Sequence, residues 1–223
     1  MPLTVNPRQL VQRYQQLSNE MKAAGVSMLA VSKYAPDEAV QTLINAGQIQ
    51  FAESRPQNLR DRANRWPDCE WHMIGPVQRN KAKYIARHAS MWHSCDNLET
   101  ASAVARHVTG RILPALIQVN IANAPGQHGV IPNAVPTLVK ALAGMPELQL
   151  AGLMCMAPRG GEIRQAFRTV RSLRDTLFDE SLPESGRVEL SMGMSGDYRI
   201  AVQEGATMVR LGSSLFGDWD VRK

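Results

Sequence analysis

The sequence predicts an α/β fold in which a parallel sheet closes into one small (β/α)8 TIM barrel with an extra N-terminal helix. Three observations predict it. Short apolar runs alternate with longer amphipathic stretches, which implies parallel strands joined by helical crossovers. The alternation occurs eight times, and eight units favour closure over an open sheet. The length of 223 residues suits a single barrel, which usually takes about 250 residues and rarely fewer than about 200. No shift in composition marks a boundary, so residues 1–223 are expected to form one domain.

The elements follow in order. Leu10, Val11, Tyr14, Leu17 and Met21 recur at helical spacing, and Gly25 closes a leading helix over 6–24. A short strand over 28–32 is followed by a helix that Pro36, Asp37 and Glu38 favour at its start. The unit then repeats, with strands over 49–53, 70–75, 90–95, 113–121, 148–156, 187–194 and 207–212. Helices are expected between them: a basic one after 53, then 80–88, 98–108, 133–143, 163–178 and 198–204.

Hydrophobic residues make up 44% of the chain, enough for a core, and charged residues 20% with no long single-sign block, which excludes a disordered chain. The net charge of +5 comes from scattered basic residues. It fits a basic mouth for a phosphorylated small molecule better than a nucleic-acid surface. Three widely spaced cysteines, Cys69, Cys95 and Cys155, make neither a disulfide framework nor a zinc site. The N-terminal segment has no secretory pattern, and no apolar run approaches about 18 residues. A cytoplasmic protein away from membranes is expected. No HExxH, P-loop or dinucleotide fingerprint occurs.

In such barrels chemistry sits at the C-terminal ends of the strands. Strand 1 ends in Ser32-Lys33. A lysine that terminates a buried run is desolvated, which frees its amine for Schiff-base chemistry; a lysine snorkelling to solvent is the alternative. Strand 7 runs into Ser191-Met192-Gly193-Met194-Ser195-Gly196-Asp197, and strand 8 into Arg210-Leu211-Gly212-Ser213-Ser214. Two adjacent Gly/Ser loops can form a phosphate cup, or can be ordinary turns. Arg210 lies inside an apolar run, so it needs a partner: a structural ion pair, or a ring nitrogen of a cofactor. A lysine, a phosphate cup and a ring-nitrogen partner together specify pyridoxal 5′-phosphate (PLP). His88, His93 and His107 are expected at the surface or at helix ends. Met154, Met156, Met192 and Met194 are expected to serve mostly as core packing, as are Trp71 and Trp92.

These residues resemble the pyridoxal phosphate homeostasis proteins, single-domain relatives of the barrel domain of alanine racemase. The resemblance runs from about residue 25 to Gly217. It is carried by LAVSK (29–33), EWHMIGPVQRNK (70–81), LAGLMCM (150–156), LSMGMSGD (190–197) and ATMVRLGSSLFG (206–217). It implies that Lys33 is the Schiff-base lysine and that Ser195, Gly212 and Ser213 contact the phosphate. Arg210 then faces the pyridine nitrogen, Met192 and Gly193 line the cofactor, and His72 and Ile74 flank its ring. Three departures stand out. Ala52-Glu53-Ser54 replaces a Gly-Glu-Asn pattern, so Ser54 stands where an asparagine supports the cofactor. Ala35 and Gln127 stand where the family has extra lysines.

A cationic arginine at the pyridine nitrogen weakens the cofactor as an electron sink. A racemase also needs a second acid/base opposite the lysine. In alanine racemases that is a tyrosine from a C-terminal domain, which the sequence ending at Lys223 does not contain; Tyr34 is the nearest tyrosine in sequence. The expectation is a PLP-binding protein of vitamin B6 homeostasis and amino/keto acid balance, a monomer or weak homodimer with little or no turnover. The alternatives are an active PLP enzyme on small amino acids (a racemase or specialised lyase), or an RNA- or partner-binding barrel without cofactor.

Overall fold

The computed structural model describes residues 6–122, 126–158, 160–178 and 188–217. The expected start of the seventh strand at Arg187 lies outside the described residues, as do both chain ends and part of the loop that precedes His128. Eight strands form a closed barrel in sequence order: β1 Ser27–Val31, β2 Gln50–Glu53, β3 Glu70–Met73, β4 Met91–Cys95, β5 Leu113–Val119, β6 Leu148–Cys155, β7 Glu189–Met194 and β8 Met208–Leu211. Every neighbouring pair is parallel, and β8 closes on β1 with Leu29 beside Arg210. The expected barrel is therefore the observed one.

Helices cover the outside: α1 Pro7–Ala23, α2 Asp37–Asn45, α3 Pro56–Arg65, α4 Ala82–His88, α5 Leu98–Ala105, α6 Val135–Leu142, α7 Ile163–Leu177, α8 Tyr198–Gln203 and α9 Ser213–Phe216. The extra helix α1 starts where Asn6 accepts the backbone N–H groups of Arg8 and Gln9, with Pro7 in the first turn. Its buried stripe of Leu10, Tyr14, Leu17 and Met21 is the periodicity read from the sequence. At its outer side Arg13 donates to the carbonyls of Leu215 and Phe216, tying the first helix to the last. The basic face of α7 is engaged locally: Arg164, Arg168 and Arg171 converge on Glu204.

Alternation along the strands divides the buried residues into two layers. Phe51, Trp71, Met73, Trp92, Leu190, Met192, Val209 and Leu211 belong to the large core between sheet and helices, where Phe51 and Trp71 stack at 5.0 Å. The barrel lumen holds two smaller clusters. Leu29, Ala52 and Met208 meet Val31, Ile74 and Met91, while Leu116, Ala151 and Met154 meet Met91 from the other side. Met91 touches both, which only the lumen allows.

Candidate functional site

A cavity of about 710 Å3 opens at the C-terminal ends of the strands, the end where barrel chemistry resides. Lys33, Ser54, Ile74, Ser195, Arg210, Gly212 and Ser213 all line it. These seven residues, scattered over the sequence, are brought together. His72, Met192 and Gly193 are not among its walls. Met192 points outward into the helix-covered core, because it follows inward-facing Ser191 on β7. Gly193 serves helix packing: its φ is 91°, and a Cβ there would meet the Cβ of Ala201 at 2.6 Å. His72 is buried deeper in the lumen.

At Lys33 the structure takes the second of the two sequence readings, a side chain reaching solvent. It is exposed rather than buried, because β1 stops at Val31 and Ser32 takes the buried position. Lys33 and Tyr34 form the tip of a tight turn, closed by the Ala35 N–H donating to the Ser32 carbonyl at 2.8 Å. Both shoulders of the turn are held. The Ser32 hydroxyl donates to Glu53 Oε1 at 2.7 Å, and Arg62 Nη2 donates to the Ala35 carbonyl at 2.6 Å. Glu53 is fully buried, its Oε2 has no partner among the described residues, and burial pushes its carboxyl above the ordinary 4.5. Glu53 and Arg62 thus aim the lysine turn. Sequence reasoning passed over this role, although a glutamate closing a buried strand is itself a signal.

The turn between β8 and α9 wraps an oxygen acceptor. The Ser195 hydroxyl receives the N–H groups of Gly212 and Ser214, at 3.2 and 3.0 Å, and lies 3.0 Å from the Ser214 hydroxyl. Ser195 therefore stands where an anionic oxygen would be held, and the β7 and β8 loops meet as the cup required. The donor set fits a phosphate.

Arg210 forms the cavity floor. It is 4% exposed and has no carboxylate partner among the described residues. Nη1 donates to the carbonyl and hydroxyl of Ser191, and Nη2 to the Cys155 carbonyl, each at 2.8 Å. Three of the five guanidinium N–H groups are used. The other two have no partner among the described residues and remain for a ligand. Burial pulls its pKa below the ordinary arginine value, yet arginine stays cationic in proteins. The same burial pushes the Cys95 and Cys155 thiols up to about 12, so neither is a nucleophile at neutral pH.

His93 overturns its expected surface position. It is fully buried in the lumen, with Nε2 2.9 Å from His72 Nδ1 and Nδ1 3.0 Å from the Ser191 hydroxyl. Burial holds its pKa well below 6.5, aided by His72 and Arg210. Strand alternation from Met91, the lumen-facing neighbour of His72 two residues earlier on β4, could have signalled an inward side chain. The methionines split: Met154, Met156 and Met194 line the cavity, while Met192 packs in the core as expected.

Comparison with known proteins agrees with this geometry. Residues 5–220 match the family described as alanine racemase, N-terminal domain. The pyridoxal phosphate homeostasis protein of Deinococcus radiodurans is 41% identical over 200 residues, covering 87% of this chain and 91% of that protein. The structure of PipY from Synechococcus elongatus superposes with a TM-score of 0.85 at 32% identity, covering 93% of this chain and all of that one; PipY has also been solved with PLP bound. Alanine racemase from Corynebacterium glutamicum shares the fold at a TM-score of 0.73 and 14% identity, with 96% of this chain covering 61% of that one. The chain belongs to the alanine racemase N-terminal domain family and, within it, to the pyridoxal phosphate homeostasis proteins.

Proposed function

We propose that this protein binds PLP covalently through Lys33 and serves PLP homeostasis and amino/keto acid balance in the cytoplasm, as a monomer or weak homodimer with little or no turnover. The observation that carries the reading is the convergence, in one cavity, of a lysine turn, an oxygen-accepting Gly/Ser turn and an arginine with two uncommitted donors. Lysine-bound PLP is a masked aldehyde that can also draw electrons from a carbon bearing an amine.

Each residue has a part in this reading. Lys33, exposed at the mouth, is reachable by the aldehyde. The Gly212 and Ser214 N–H groups, with the hydroxyls of Ser195 and Ser213, receive the phosphate. Val31 and Ile74 supply apolar walls, and Ser54 a polar edge. Arg210 faces the pyridine nitrogen as a fixed cationic donor, keeping that nitrogen free of a proton and limiting carbanion chemistry. That supports holding over catalysis. The name of the Deinococcus relative and the PLP-bound PipY structure support the choice of cofactor.

The test is PLP uptake, borohydride reduction and peptide mapping. The adduct is expected on Lys33, and Lys33→Ala is expected to weaken retention by about a hundredfold or more. An adduct elsewhere, or unchanged binding by the variant, overturns the assignment. Fast α-proton exchange of amino acids in D2O that disappears in Lys33→Ala would instead make the protein an enzyme.

A further inference from the structure

Behind Arg210 a line of polar groups crosses the barrel. Arg210 on β8 donates to the Ser191 hydroxyl on β7, which lies 3.0 Å from His93 Nδ1 on β4. His93 Nε2 lies 2.9 Å from His72 Nδ1 on β3. His72 Nε2 makes no hydrogen bond among the described residues; Glu70 Oε2 lies 3.9 Å from it, at the opposite mouth. The strands β4 and β7 are not neighbours, so this line spans the lumen itself. Buried polar groups in such a position are costly unless every one is matched.

Hydrogen bookkeeping gives the line one direction. Arginine only donates, so the Ser191 oxygen accepts from it. If the Ser191 hydroxyl hydrogen goes to His93 Nδ1, neutral His93 carries its proton on Nε2 and donates to His72 Nδ1. His72 then carries a hydrogen on Nε2, facing the Glu70 carboxylate. The reverse arrangement leaves the Ser191 hydrogen without an acceptor among the described residues, and turns a His72 lone pair toward a carboxylate. Glu70 is held below its ordinary value, first by His72.

We propose that His93 and His72 are positioning residues: with Ser191 they form a one-way hydrogen-bonded strut that holds Arg210 on the cavity floor and ends opposite the Glu70 carboxylate. The strut keeps the two free guanidinium N–H groups directed into the cavity. Its bearing on the cofactor rests on the PLP reading above; its wiring does not.

Two measurements test it. In the protein without PLP, 15N spectra of the histidines are expected to show His72 and His93 both protonated on Nε2 and bare on Nδ1, and Glu70→Gln is expected to disturb the His72 pattern. A hydrogen on His93 Nδ1 overturns the direction. The second measurement compares His93→Asn, whose side chain can accept from Ser191, with His93→Gln, whose amide reaches His72 but not Ser191. Asn is expected to lose less than about threefold in PLP affinity, and Gln about tenfold or more with a shifted absorption band of the bound cofactor. Equal losses that follow the thermal midpoint overturn the positioning role, because a merely structural histidine would not distinguish the two ends of the ring. If the wild type takes up no PLP, the function reading fails, and the tautomer pattern still decides the wiring.

Discussion

The two faces of the sheet are built from different chemistry. Outside, Phe51, Trp71, Trp92 and their neighbours form an apolar layer that helices seal. Inside, small clusters of Leu, Ala and Met surround the polar line of His72, His93, Ser191 and Arg210. The outer layer stabilises by removing apolar area from water, which tolerates imprecision of direction. The lumen depends on directed bonds, where one wrong partner strands the next. Stability is therefore concentrated outside, and site geometry inside.

The largest effect that tests this contrast is expected from Trp71→Ala. Trp71 is 1% exposed, and its loss should cost about 3–5 kcal/mol in denaturant unfolding. Lys33 adduct formation by the fraction still folded should be unchanged; altered PLP affinity there would break the contrast. A middle-sized effect is expected from Gly75→Ala, at the cavity rim. The added Cβ would fall 2.1 Å from the Ser54 carbonyl oxygen, so the backbone must shift. Unfolding should register about 1–3 kcal/mol of destabilisation, together with weaker PLP retention.

The smallest effect is one of pH. Burial lowers the folded-state pKa of His93, so the unfolded chain binds this proton more readily. The stabilisation is complete above the unfolded value near 6.5 and is lost as pH falls below it, by at most about 1.4 kcal/mol per pH unit. Chemical unfolding between pH 7 and 5 should show a shallower slope in His93→Asn. An unchanged slope would remove His93 from the buried ionisable groups that set acid stability.

Much of this was legible in the sequence. Alternating apolar runs and helical stripes such as Leu10–Tyr14–Leu17–Met21 are local patterns, and local patterns set the element order. Site residues at strand ends, such as Lys33 and Arg210, could be read because the barrel fixes where strand ends meet. Which side of a strand faces the lumen was harder. Met192 and Gly193 sit next to site residues in sequence but on the other side of the sheet. His93 looked ordinary because its partners, His72 and Ser191, are 21 and 98 residues away. The end of β1 was placed one residue late, and the exposed Lys33 matches the solvent-reaching alternative.

The tie between α1 and α9 bears on how the molecule is completed. Arg13 reaches the Leu215 carbonyl across 202 positions, next to the turn that carries Gly212 and Ser213. Contacts of such separation carry loop-closure entropy and slow the folding of the chains that rely on them. The oxygen-accepting turn follows directly on β8, so its place depends on the last strand pairing with the first and on α1 tying to α9. A chain in which that pairing is open would lack the cup, so capture of a phosphorylated aldehyde would report that the barrel has closed.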